Sequence, residues 1–259
     1  MNYPTEHPLL VFAISFAALW LSARIGWWFR RRQGTLDEEM HEDFGFILAA
    51  TLTLLGLIIG FSFSMATTRY DQRKNYEEAE ANAIGTEYVR ADLLPDADAA
   101  RVRRLLKKYL DERILFYKAA SEQELQPINA RTAQLQTELW SAIRAPATSD
   151  RTAVMALAVS GMNDVLNSQG YTQAGYWNRI PTAAWGLMGT IAIGCNLLVG
   201  YGSRSAKAGS KLLPILPLIV SIAFMLLADI DAPRHGIILV RPQNLISLAE
   251  SLPPLSGVP

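Results

Sequence analysis

The chain has 259 residues, half of them hydrophobic, with 24 Lys+Arg balanced by 24 Asp+Glu, three His and one Cys. The balance leaves no basic excess for nucleic-acid binding, and a lone cysteine excludes an intrachain disulfide framework or a cysteine-based zinc cluster. The apolar residues fall in four long blocks, two toward each end, with nearly all the charge between them.

The first block runs from Pro8 to Phe29. Its leader, MNYPTEHP, lacks Lys and Arg and carries Glu6, so it does not read as a secretory signal. Trp27 and Trp28 close the block and Arg30, Arg31 and Arg32 follow, an aromatic belt and then charge. Arg24 lies about one turn inside and can snorkel. The second block is Phe44 to Ala66, the third Thr182 to Tyr201 and the fourth Leu212 to Ile230. About 20 apolar residues in a helix cross about 30 Å of hydrocarbon, where every backbone polar group must be paired internally. The expected fold is therefore an all-α integral membrane protein. Four transmembrane helices divide it into a first pair within 1–66, a soluble helical domain over 67–181, a second pair within 182–231 and a polar tail over 232–259.

The domain over 67–181 holds 15 Lys+Arg and 15 Asp+Glu and shows only helical periodicity. Val102, Leu105, Leu106, Tyr109, Leu110 and Leu115 form one apolar stripe, preceded by Pro95 and the cap candidates Asp96 and Asp98. A second stripe is Leu135, Leu139 and Ile143, with Pro127 near its start. A third is Val154, Leu157, Met162, Val165 and Leu166, with Ser149 and Asp150 as cap candidates and a stop near Gly170. The second block meets no proline before Pro95. One continuous helix of about 50 residues, about 75 Å at 1.5 Å per residue, is thus expected to run from the bilayer into the polar domain.

Nothing in the sequence has the spacing of an enzyme site. His7, His41 and His235 are scattered, and neither a metal-ligand pair nor a nucleotide-binding fingerprint is present. The glycines of the third block (Gly186, Gly189, Gly194, Gly200, Gly202) read as helix packing, and Cys195 as a buried thiol. No metal or cofactor is expected.

The second block is unusual in its small residues. Gly56, Gly60, Ser64 and Thr68 fall every four residues on one stripe, a spacing that lets helices approach closely. That approach fits packing within one subunit or around a shared axis. Thr53, Leu57, Phe61 and Met65 make the neighbouring row. Copies of this helix around an axis would stack that row into mostly apolar rings, which can gate ions by dewetting.

Gly60-Phe61, then six residues, then Thr68-Arg69 and the aromatic Tyr70, resembles the second membrane helix of bestrophins, pentameric ion channels. Asp229, Asp231, Pro233 and Gly236, then Pro242, Asn244 and Leu245, resemble the acidic-Pro-Gly turn after their last membrane helix. The dense acidic run that holds calcium in animal members is absent, and local pairing of Asp229 and Asp231 with Arg234 is the expected role. The stretch from Thr68 to Pro95, with ADIDAPRHG, is more similar still to a bacterial family described as bestrophin-like. The resemblance implies a pore neck at Thr53, Leu57 and Phe61, a homo-oligomer of five, and conducted ions. It also implies an inner-membrane location with both termini and the middle domain in the cytoplasm.

The positive-inside count itself is nearly even. Arg24, Arg30, Arg31, Arg32, Arg204, Lys207 and Lys211 lie on one side, and Arg69, Arg73, Lys74, Arg179, Arg234 and Arg241 on the other. The expected function is an oligomeric ion channel in the lipid bilayer. The alternative is a non-conducting scaffold or sensor whose helical domain binds a partner protein. A membrane enzyme would have only Asp229, Asp231 and His235 to work with.

Overall fold

The computed structural model describes residues 7–33, 38–203 and 212–253. Among them regular structure is helical and no strand occurs. The helices are α1 (Pro8–Gln33), α2 (Glu38–Arg90), α3 (Asp96–Lys118), α4 (Glu122–Ser149), α5 (Ala153–Trp177), α6 (Thr182–Gly202), α7 (Ile215–Asp231) and α8 (Gln243–Ser251), with a 3₁₀ turn at Ala91–Leu93. The leader with Glu6 and the loop with Arg204, Lys207 and Lys211 lie outside the described residues.

Three helical stretches among the described residues are long and apolar enough to cross a membrane: Pro8–Arg32, Asp43–Leu93 and Ala153–Gly202, which contains α5 and α6. The fourth expected span is shorter than its apolar block. Pro214 flanks the start of α7, which has only 17 residues, because the missing N–H and fixed φ of proline favour a helix start over a helix interior.

By its contacts the chain forms two units. The first holds α1, α2 through Arg69, α6, α7 and the chain to Leu239. Its best-packed seam joins α1 to α6 through small residues. A Cβ on Gly26 would overlap the carbonyl oxygen of Leu197, and one on Gly200 that of Ala23. The Ser22 hydroxyl donates to the Ile193 carbonyl at 2.7 Å. Small side chains let backbones come together where no hydrophobic effect drives association. Gly186, Gly189 and Gly194 have nothing within 4 Å of an added Cβ, so the packing expected of the α6 glycines resides in Gly200, and in Gly202 against Phe44. At the end of α1 the arginines lie over tryptophans: Arg31 is 4.2 Å from the Trp27 ring and Arg32 3.8 Å from Trp28. Arg24 lies between Trp20 and Trp27. These cation–π contacts hold the charges at the aromatic belt.

The second unit holds α2 from Tyr70, α3, α4, α5 and the chain from Val240. Its core joins Ile84, Leu106, Tyr109, Leu110, Phe116, Leu135, Leu139, Ile143, Met162 and Val165. The expected stripes are partly out of phase: Leu115, Val154 and Leu157 are exposed, and the buried positions beside them are Phe116, Met155 and Ala158. The caps also differ. Pro95 precedes α3 with no side-chain cap, which leaves Asp96 and Asp98 in the first turn, where a negative charge suits the helix dipole. Thr152, not Ser149 or Asp150, caps α5 by accepting from the Met155 N–H at 3.2 Å. That helix passes Gly170 and ends at Trp177. At the start of α4, Ser121 accepts from the Glu124 N–H and the Glu124 carboxylate from the Ala120 N–H, close to a capping box.

Candidate functional site: the second helix and the turn after α7

α2 is a single helix of 53 residues. Leu55, Ser62 and Ala66 are buried, whereas Leu57, Phe61 and Met65 are exposed, Phe61 by 66 %. Only 6 % of its most apolar window is buried within the chain. Thr53 donates its hydroxyl to the Ala49 carbonyl at 2.8 Å and Thr68 to Ser64 at 2.9 Å. Bonded inside the helix, such hydroxyls need no outside partner in a low-dielectric setting. The row Thr53, Leu57, Phe61, Met65 is therefore an open face with no charge. An added Cβ at Gly56 or Gly60 would meet nothing within 4 Å, so among the described residues these glycines have no packing partner. Ser64 is exposed beside them.

Where this apolar stretch ends, Arg69 faces the turn after α7. Its guanidinium is 3.7 Å from the Asp231 carboxylate, and both side chains are largely buried. Asp231 also accepts from the Ile180 N–H at 3.1 Å. Asp229 accepts from the Ile237 and Ile238 N–H groups at 2.7 and 2.9 Å. Gly236, with φ of 128°, brings the backbone so close to Asp229 that a Cβ would overlap its Oδ1. Pro233 is buried between them in sequence. Two motifs about 160 residues apart thus meet through Arg69 and Asp231. The sequence did not reveal that meeting, nor the role of the Ile180 N–H, because a backbone donor carries no side-chain signature.

Within the second unit, Tyr70 packs on the core, and Glu77 caps α8 by accepting from the Leu245 N–H at 3.0 Å and the Asn244 amide at 2.6 Å. Glu80 and Arg113 form a fully buried ion pair, to which the Tyr117 and Thr172 hydroxyls also donate, at 3.2 and 3.1 Å. Burial first, and the charge of Glu80 second, push the Tyr117 hydroxyl above its ordinary range. Glu87 stands on the same helix, fully buried against Gly161, with no hydrogen bond to either carboxylate oxygen. Among the described residues no three His, Cys, Asp or Glu side chains gather as metal ligands.

A family model described as the Bestrophin-like domain matches residues 11–245. The fold is also similar to crystal structures of a bacterial bestrophin homologue from Klebsiella pneumoniae. A leucine-to-threonine variant of that protein aligns with a TM-score of 0.62 at 13% identity, covering 94% of this chain and 96% of that one. The structure phased from zinc gives 0.58 at 13% identity, covering 95% and 99%. A tyrosine-to-alanine variant gives 0.59 at 13% identity, covering 93% and 99%. No curated protein matches significantly in sequence. The apolar helices and this common fold make the chain an integral membrane protein.

Proposed function

Because the chain belongs to the Bestrophin-like domain family, we propose that it is a homo-oligomeric ion channel whose α2 helices surround the pore. The reading takes α1, α2, α6 and α7 as four spans. It places a ring of five subunits in the bacterial inner membrane, with the helical unit after Tyr70 as a cytoplasmic vestibule. The observation that supports it best is the bare face of α2. A helix with 6 % of its apolar window buried needs cover from lipid or from copies of itself. Gly56 and Gly60 offer a small-residue track for such a copy. The adjacent row of Thr53, Leu57, Phe61 and Met65 would then stack as rings. With no charge to bind an ion, the rings would act by apolar constriction at Leu57 and Phe61, where a narrow dry neck blocks ions and a widened one wets.

The test is electrical recording from purified protein in planar bilayers, paired with native mass in detergent. A ring mass, a measurable conductance and a severalfold larger conductance for Phe61→Ala are expected. A monomer or dimer in which both proteins are silent favours the second reading, a membrane-anchored scaffold. The charge-free row on α2 supports that reading, since it offers an ion no charged side chain.

A further inference from the structure

α6 serves as a ruler for the bilayer. Its 21 residues, Thr182–Gly202, rise about 31 Å at 1.5 Å per residue, close to the roughly 30 Å of a hydrocarbon core. At its far end the Arg30 guanidinium lies 5.7 Å from the Tyr201 ring, so that end shares the aromatic and basic level of α1 with Trp27 and Trp28. The start of α6 therefore falls at the opposite boundary. Just ahead of it Ile180 is buried, and its N–H is held by Asp231, the last residue of α7. Two helix ends thus mark one level.

Trp177 closes α5 next to that level. Three residues of chain keep it within about 11 Å of Ile180, at no more than about 3.6 Å per residue. The headgroup layer on each face of a bilayer is itself about 5–7 Å deep. Trp177 is 74 % exposed, a large ring left mostly uncovered by the described residues. The chain between Asp164 and Arg179 carries no charged residue, so the end of α5 has no charge to hold it in water. Trp185, one turn inside α6, differs: it packs edge to face on Phe224. Indole joins an apolar body to one N–H donor, which is why Trp collects where membrane meets water. We propose that Trp177 lies in the headgroup layer and anchors the end of α5 to the membrane surface. The assignment stands on the membrane location of the chain and does not depend on conduction.

The experiment is tryptophan fluorescence of the full protein in phosphatidylcholine vesicles, with the lipid brominated either near the glycerol or near the chain end. The chain has six tryptophans, so the Trp177 signal is read as a difference, wild type minus Trp177→Phe. That difference should be quenched severalfold more strongly by the shallow bromines than by the deep ones or by aqueous iodide. Should Trp177→Phe fail to fold, Trp177→Tyr supplies the same difference. Quenching by iodide with none from either lipid would put the ring in water and overturn the proposal. Stronger quenching by the deep bromines would put it in hydrocarbon and overturn it. A difference untouched by all three quenchers would assign the ring to a contact with a second copy of the chain and overturn it too.

Discussion

Glu87 is the residue whose surroundings most contradict its chemistry. It is fully buried on α2, against Gly161 of α5, with no hydrogen bond to either oxygen. Burial raises its carboxyl to about 8, a rise that the charge of Arg90 opposes and that of Asp164 assists. The folded chain therefore keeps a proton that the unfolded chain, with an ordinary value of 4.5, has already released. From pH 4.5 upward the unfolded state binds fewer protons than the folded one, so stability falls as pH rises until about pH 8. Above that the slope from this group ends. Unfolding of the detergent-solubilised protein between pH 5 and 8 should show the decline, and Glu87→Gln, neutral throughout, should flatten it. The sequence shows a glutamate on a helix and nothing more. Its burial depends on the absence of a side chain at Gly161, where an added Cβ would overlap the carboxylate, a fact of packing between two helices.

At the scale of the element, the four-residue glycine spacing of α2 was visible, and so was the length of that helix. The tightest helix pair was not. α1 contributes Ser22, Ala23 and Gly26, and α6 contributes Gly200, small residues of which only Ser22 and Gly26 share a four-residue spacing. Helical periodicity says that a segment has a face but not which partner the face meets. It also leaves the phase open by a residue, which is how Leu115 stands in solvent while Phe116 is buried. The α6 glycines provide an internal comparison. Gly200→Val forces a side chain into the Ala23 carbonyl and should destabilise by about 1–3 kcal/mol or more. Gly194→Ala, where an added Cβ meets nothing within 4 Å, should stay within about 0.5 kcal/mol. Unfolding of both variants in a mixed-micelle SDS titration checks the contrast.

For the whole molecule, the class of fold was legible because the demands of lipid are written in composition: long apolar runs with charge set apart from them. The family was legible in short motifs, and the structure supplies a physical reason for two of their residues. Arg69 and Asp231 are ion-pair partners, and Asp231 also holds the N–H of Ile180 just ahead of α6. For the proposed pore row, the structure shows that Leu57 and Phe61 stand open. The length of α7 bears on the membrane around the chain as well. At 1.5 Å per residue its 17 residues reach about 26 Å, short of the roughly 30 Å of an average hydrocarbon core. As a fourth span it would pull the leaflets together around it or favour a thinner membrane. Reconstitution in phosphatidylcholines of 14-carbon and 20-carbon chains should then give the higher thermal stability in the shorter lipid. Under that reading bilayer thickness would be a mechanical input to this protein, acting through one short helix.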